Sequence, residues 1–187
     1  MIVKERDTLT EKKKRPLGRP RASERNKETN IIILEAATDL FLTKGFQNVS
    51  MDDVANKCNI TKATVYYYFR SKAVLFTEAM VLMMSRIREY MNMILLEDAP
   101  LRTRLHHVTE AHLKATVEID LDGFARETKD LLTKEQHNKI QEAENRMFEA
   151  LEKAFSDEIE AGKIPEINST FAAHCFIALL RVGNYRN

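Results

Sequence analysis

An all-α protein is predicted, with a small three-helix unit near the N-terminus and a longer helical body behind it. Apolar residues recur at helical spacing from about Glu28 onward, and the periodic segments are punctuated by capping and stop residues. Strand signals are missing: no alternating β-branched run occurs, and no Asn-Gly or Asp-Gly turn joins two such runs.

The elements follow in order. Ile33, Ala37, Leu40, Phe41 and Lys44 lie at i, i+4, i+7, i+8 and i+11, one face of a first helix that Gly45 ends in a left-handed stop. Ser50 offers an N-cap for a short second helix. Asp52 and Asp53 complement the dipole in its first turn, and Met51, Val54, Ala55 and Cys58 form its buried stripe. Asn59 tolerates a left-handed backbone, Ile60 is an apolar plug and Thr61 caps a third helix that places Val65 and Phe69 on one face. Ser71 caps a fourth, with Leu75, Ala79, Leu82 and Met83 as its apolar positions and an end near Met93. Four further helices are predicted over Leu101 to Glu118, Asp122 to Leu132, Lys134 to Ala161 and Ser169 to Val182. They are divided by Pro100, the loop Asp120 to Gly123, and the stretch Gly162 to Pro165.

Composition narrows the function classes. The longest apolar run, Ala79 to Met84, falls far short of the roughly 18 residues that a membrane-spanning helix needs. The N-terminus turns charged at once and has no apolar signal core, so a cytoplasmic location is expected. Cys58 and Cys175 sit among apolar residues, where buried free thiols are expected. The net charge of +1 conceals an asymmetry. Residues 1 to 72 hold 15 Lys and Arg against 9 Asp and Glu, while residues 73 to 187 hold 14 against 19. A basic module suited to a polyanion is therefore joined to an acidic body.

The second and third helices carry the chemistry. A small Ala55 lets them cross closely, Asn59 makes the turn four residues on, and Val65 packs back ten residues after Ala55. This is helix-turn-helix spacing. The string from Val49 to Leu75, with Tyr-x-Tyr-Phe-x-Ser-Lys-x-x-Leu at its end, and the first-helix ending Phe41-Leu42-Thr43-Lys44-Gly45-Phe46 strongly resemble the N-terminal domain of TetR-family regulators. The likeness covers about residues 28 to 80. Two positions depart from the pattern: Asn59 stands for the turn glycine, and Ala63 for a glycine common early in the recognition helix.

The resemblance implies a DNA-binding regulator of transcription, most plainly a repressor released by a small molecule. A non-specific nucleoid-type protein is the alternative, and the elaborate acidic body argues against it. Thr61, Lys62, Ala63 and Thr64 would reach base edges in the major groove. Tyr66, Tyr67, Tyr68 and Lys72 match phosphate-gripping positions, as does Ser50. For Tyr66 a packing role against the first helix stands equally open. The arm before the head contains Gly18-Arg19-Pro20-Arg21, which resembles an AT-hook core: Arg19 and Arg21 would enter the narrow minor groove of A·T tracts, although Leu17 replaces the flanking arginine. A merely basic tail is the other reading of this segment.

The expected domains are thus a basic arm over 1–26, the helix-turn-helix over 27–72 and an effector-binding and dimerisation body over 73–187. The resemblance implies an effector pocket in the body, and Met83, Met91, His106, His107, Phe124, Met147 and Phe148 are its candidate lining. Taken singly, each of these reads more readily as a core residue or, for the histidines, as a solvated position on a charged helix. The histidine spacing suits no one-helix metal site, and there is no phosphate loop, nucleophile elbow or His-Glu-x-x-His pair, so neither cofactor nor enzymatic activity is expected. The resemblance also implies a homodimer through the helices over 134–161 and 169–182. The family's final helix is expected to be missing, because Gly183-Asn184 and the three residues after it cannot form another amphipathic helix.

Overall fold

The computed structural model describes residues 22–116 and 126–183, and the described residues contain helices and no strand. The head is built from α1 (Ala22–Lys44), α2 (Met51–Lys57), α3 (Lys62–Tyr68) and the first half of α4 (Lys72–Leu95). The body continues with α5 (Leu101–Thr116), a helical turn at 126–128, α6 (Lys134–Glu160) and α7 (Ser169–Gly183). Among the described residues no helix is long and apolar enough to cross a membrane.

The caps fall where local chemistry puts them. The Ser50 hydroxyl accepts from the Asp53 N–H, and the Asp53 carboxylate accepts from the Ser50 N–H, closing a reciprocal box at the start of α2. Thr61 and Ser71 accept from the N–H groups of Thr64 and Val74 to cap α3 and α4. Gly45 takes φ +80° and its N–H returns to the Phe41 carbonyl, ending α1. Asn59 sits at φ 53°, the left-handed conformation that the tight turn between α2 and α3 requires.

Three boundaries differ from the sequence expectations. α1 starts at Ala22, inside the segment expected to be arm, because its first turns are polar in sequence and leave no apolar periodicity to read. α4 runs on to Leu95, since Ile94 and Leu95 are buried and carry the stripe past Met93. The helix expected over Asp122 to Leu132 is helical only at 126–128 within its described part. It gives way to turns before Thr133 caps α6 with Gln136 as its reciprocal partner.

Two apolar cores organise the chain. The head core is centred on fully buried Ile33, Ala37, Phe41, Val54, Val65 and Leu75. Phe46 and Phe76 meet edge to face with ring centroids 5.1 Å apart, and each also packs on Phe41. The body core gathers Met91, Ile94 and Leu95 of α4, Leu101 and Val108 of α5, Leu151 and Phe155 of α6, and Ala173 and Leu180 of α7. Thus α4 belongs to both: Leu75, Phe76, Ala79 and Met80 at one end lie in the head, and its last turns lie in the body.

One buried ion pair locks the body. Arg104 of α5 donates through Nη2 to Glu158 Oε1 of α6 at 2.5 Å and through Nη1 to the Leu95 carbonyl at 2.6 Å, so it closes the C-terminal end of α4 as well. Both side chains are about nine-tenths buried. The last helix, α7, presents an uncovered apolar face, with Phe171, Leu179 and Val182 each more than 60% exposed.

Candidate nucleic-acid interface

The reading element is held from behind. Ala55, 3% exposed, lies where α2 and α3 cross, and Val65 anchors α3 on the head core with no exposed surface. A large side chain at position 55 would drive the two helices apart. With that face fixed, the opposite face of α3 is turned outward. Thr61, Lys62, Ala63, Tyr66 and Tyr67 are all exposed, Tyr67 by 75%. Thr64 is half-buried and its hydroxyl lies 2.8 Å from that of Thr61, so the two form one polar edge.

Beside α3 a shallow groove is lined by Gln47, Asn48, Ser50, Lys62, Tyr66 and Lys72, with Val49 and Met51 at its floor. It brings together four of the residues expected to touch DNA: Ser50, Lys62, Tyr66 and Lys72. Tyr66 is 45% exposed and belongs to this groove. Tyr68 points the other way: it is half-buried against the head core, and its hydroxyl donates to Asn26 Oδ1 at 3.1 Å. Gln47 and Asn48 were not singled out in the sequence, although two polar amides between a helix stop and a helix cap are a legible loop signal.

The electrostatics of the groove are set by local pairs. Lys62 is paired to Asp52 at 2.5 Å, and that hydrogen bond and charge raise its pKa. The Asp53 carboxyl is held below its ordinary range by hydrogen bonds from Ser50. Lys72 is half-buried: its ammonium donates to the carbonyls of Phe46 (3.0 Å) and Gln47 (3.3 Å) and stands 4.5 Å over the Phe46 ring. It therefore carries positive charge to the groove and braces the loop that forms one wall. Cys58 at the end of α2 is a free thiol whose pKa burial pushes up.

Arg19 and Arg21 lie outside the described residues, as does Phe124. Of the remaining residues expected to line an effector pocket, Met83 packs against the head core, while Met91 and Met147 belong to the body core. His106 is exposed on α5, and His107 Nδ1 lies 2.8 Å from Glu97 Oε2. Phe148 stacks on the His174 ring at 4.3 Å between α6 and α7. Among the described residues these side chains thus divide between the head core, the body core, the α5 surface and the seam between α6 and α7.

Residues 33–79 match the family of bacterial regulatory proteins described as the tetR family. YhgD, an HTH-type transcriptional regulator of Bacillus subtilis (strain 168), is 26% identical over 155 residues, which are 80% of this chain and 81% of that one. The TetR-family transcriptional regulator PfmR from Thermus thermophilus superposes with a TM-score of 0.61 at 25% identity, covering 80% of this chain and 82% of that one. The transcriptional regulator FadR from Bacillus subtilis, solved in complex with stearoyl-CoA, shares the fold with a TM-score of 0.64 at 19% identity over 80% of this chain and 82% of that one.

Proposed function

Because the chain belongs, through its helix-turn-helix head, to the TetR family of transcriptional regulators, we propose that it is a repressor that grips a short pseudo-palindromic operator as a two-fold pair of heads and lets go when a small molecule enters its body. The observation that carries this reading is the groove that gathers Ser50, Lys62, Tyr66 and Lys72 beside the exposed face of α3. A helix whose N-terminal turns carry Thr61, Lys62, Ala63 and Thr64 reads base edges, while hydroxyls and ammonium groups next to it take the phosphates on the flank. Tyr66 and Tyr67 serve the phosphates in this docking, and Tyr68 steadies α3 against α1.

The second copy sits on the α7 face. Phe171, Leu179 and Val182 need cover, and a two-fold partner presenting the same face supplies it. Such a pair sets the two α3 helices about one DNA turn apart, roughly 34 Å. The release step runs through α4, whose two ends are fixed in different cores. A molecule that prefers one tilt of α4 moves the heads relative to one another, and its effect on DNA affinity equals its differential affinity for the two tilts. FadR, a regulator of the same fold solved in complex with stearoyl-CoA, is in keeping with a small-molecule effector for this chain. The protein works in the cytoplasm on chromosomal DNA.

The test starts from a duplex selected by the full-length chain out of a random pool. Fluorescence anisotropy at several salt concentrations then compares this duplex with random-sequence DNA. Lys72→Ala is expected to weaken binding to both and to flatten the salt dependence by about one unit, whereas Thr64→Ala is expected to change which sequence is selected. Equal effects of the two substitutions on both duplexes would overturn this docking. The arm adds a further expected result. Removing residues 1–21, and with them Arg19 and Arg21, lowers affinity most when the selected site has A·T-rich flanks. The same loss on G·C-rich flanks would leave the arm as a charge tail only.

A further inference from the structure

The loop between α1 and α2 is held from two directions, and one of them is the body. Glu127 lies in the helical turn at 126–128, eighty residues away in sequence. Its carboxylate accepts from two consecutive backbone N–H groups: Phe46 N–H reaches Oε2 at 3.1 Å, and Gln47 N–H reaches Oε1 at 2.7 Å. The carbonyls of the same two residues accept from the Lys72 ammonium at 3.0 and 3.3 Å. The Phe46-Gln47 strap is thus clamped on its N–H edge by an anion from the body and on its C=O edge by a cation from the head. Gly45 makes room for this, since a Cβ at that position would stand 3.0 Å from Glu127 Oε2. The turn carrying Glu127 is itself rooted. Thr128 is buried, Leu132 and Ile140 pack on the head core, and His137 at the start of α6 bonds the Lys129 carbonyl.

We propose that Glu127 is a positioning residue for DNA binding: the body uses its carboxylate to hold the strap that carries Gln47 into the groove and seats the Lys72 ammonium beside it, and shifts of the body reach the DNA contacts through it. The proposal rests on the reading of this groove as the phosphate grip. The strap is short, both its edges are pinned, and its second residue, Gln47, forms the groove wall with Asn48 after it. A displacement at Glu127 therefore moves the wall or breaks two charge-assisted hydrogen bonds, with no intervening side chain to absorb it. This route runs beside the α4 lever and needs no change in the tilt of that helix.

Glu127→Gln tests it without changing side-chain size, because the amide offers one acceptor and turns its NH2 group against the other backbone N–H. Glu127→Ala removes both acceptors, and Glu127→Asp retains the carboxylate. Amide hydrogen exchange on the full chain without DNA is expected to speed up about tenfold at Phe46 and Gln47 in the Gln and Ala variants, while α1 and α6 stay as protected as before. Affinity for the selected duplex is expected to fall about fivefold to tenfold in the same variants and to recover in part with Asp. Unchanged exchange at positions 46 and 47 would overturn the clamp. Faster exchange with unchanged affinity would overturn its role in DNA binding. Wild-type binding to the selected duplex is read alongside: its absence would sink the phosphate-grip reading and with it the role of Glu127 on DNA, while the exchange result still decides the clamp.

Discussion

Glu158→Ala is expected to lower the thermal midpoint by roughly 6 to 20 °C. The substitution leaves the Arg104 guanidinium buried without its carboxylate, and breaking one partner of a buried pair costs about 3–5 kcal/mol. In a chain of this length each kcal/mol corresponds to about 2–4 °C. Arg104 Nε is already buried without a partner, so the site has no spare acceptor to offer. Lys163, 3.4 Å from Glu158 Oε1, would lose its partner too, but it is well exposed and contributes little. The double replacement Arg104→Met with Glu158→Leu removes both charges and should come within about 1 kcal/mol of the parent or above it. Melting followed by circular dichroism separates the outcomes. A single variant that melts within about 2 °C of the parent would mean that the pair is not buried in solution.

Phe171→Glu together with Leu179→Glu is expected to leave a folded monomer whose affinity for the selected duplex falls by about 10²-fold or more. The two side chains project from α7 away from the body core, so their replacement spares Ala173 and Leu180, which hold the helix down. In the proposed dimer they meet their own copies, and four carboxylates would be forced together in an apolar seam. Losing the second head removes the effective-concentration gain of a linked pair, typically 10²–10⁴. Light scattering gives the mass, and anisotropy gives the affinity. A variant that stays dimeric would place the interface elsewhere, and a monomeric variant with full affinity would show that one head suffices.

The head was legible from the sequence nearly residue by residue, because its signals are local. Ser50, Thr61 and Ser71 cap the helices within three residues of themselves, and Gly45 and Asn59 mark their turns by a backbone conformation few other residues accept. The direction of the tyrosines was harder. Tyr66, Tyr67 and Tyr68 are consecutive, and only the packing of Val65 and Phe69 decides that Tyr68 leans on the core while Tyr66 opens to the groove. Long-range pairing left no trace at all. Glu127 reads as one more carboxylate in an acidic body, and neither its spacing nor its neighbours announce that it accepts from residues 46 and 47. The same holds for Arg104 and Glu158, fifty-four positions apart. Candidate pocket residues chosen by type alone scattered for a related reason: Met at helical spacing is a core residue first, and here the methionines divide between two cores, while Phe148 stacks on His174.

The head core has a consequence for how the chain is made. Among the described residues its buried members run from Ile33 to Met80, one stretch of forty-eight positions that includes none from the body. A ribosome adding about 5–20 residues per second delivers all of them before α5 has left the exit tunnel, and domains fold as units during synthesis. The DNA-reading end can therefore close on itself while the body is still being translated. Leu132 and Ile140, and the carboxylate of Glu127, arrive afterwards to fasten a finished head to the rest. Ribosome-stalled chains cut at about residue 115 should already protect α2 and α3 from protease.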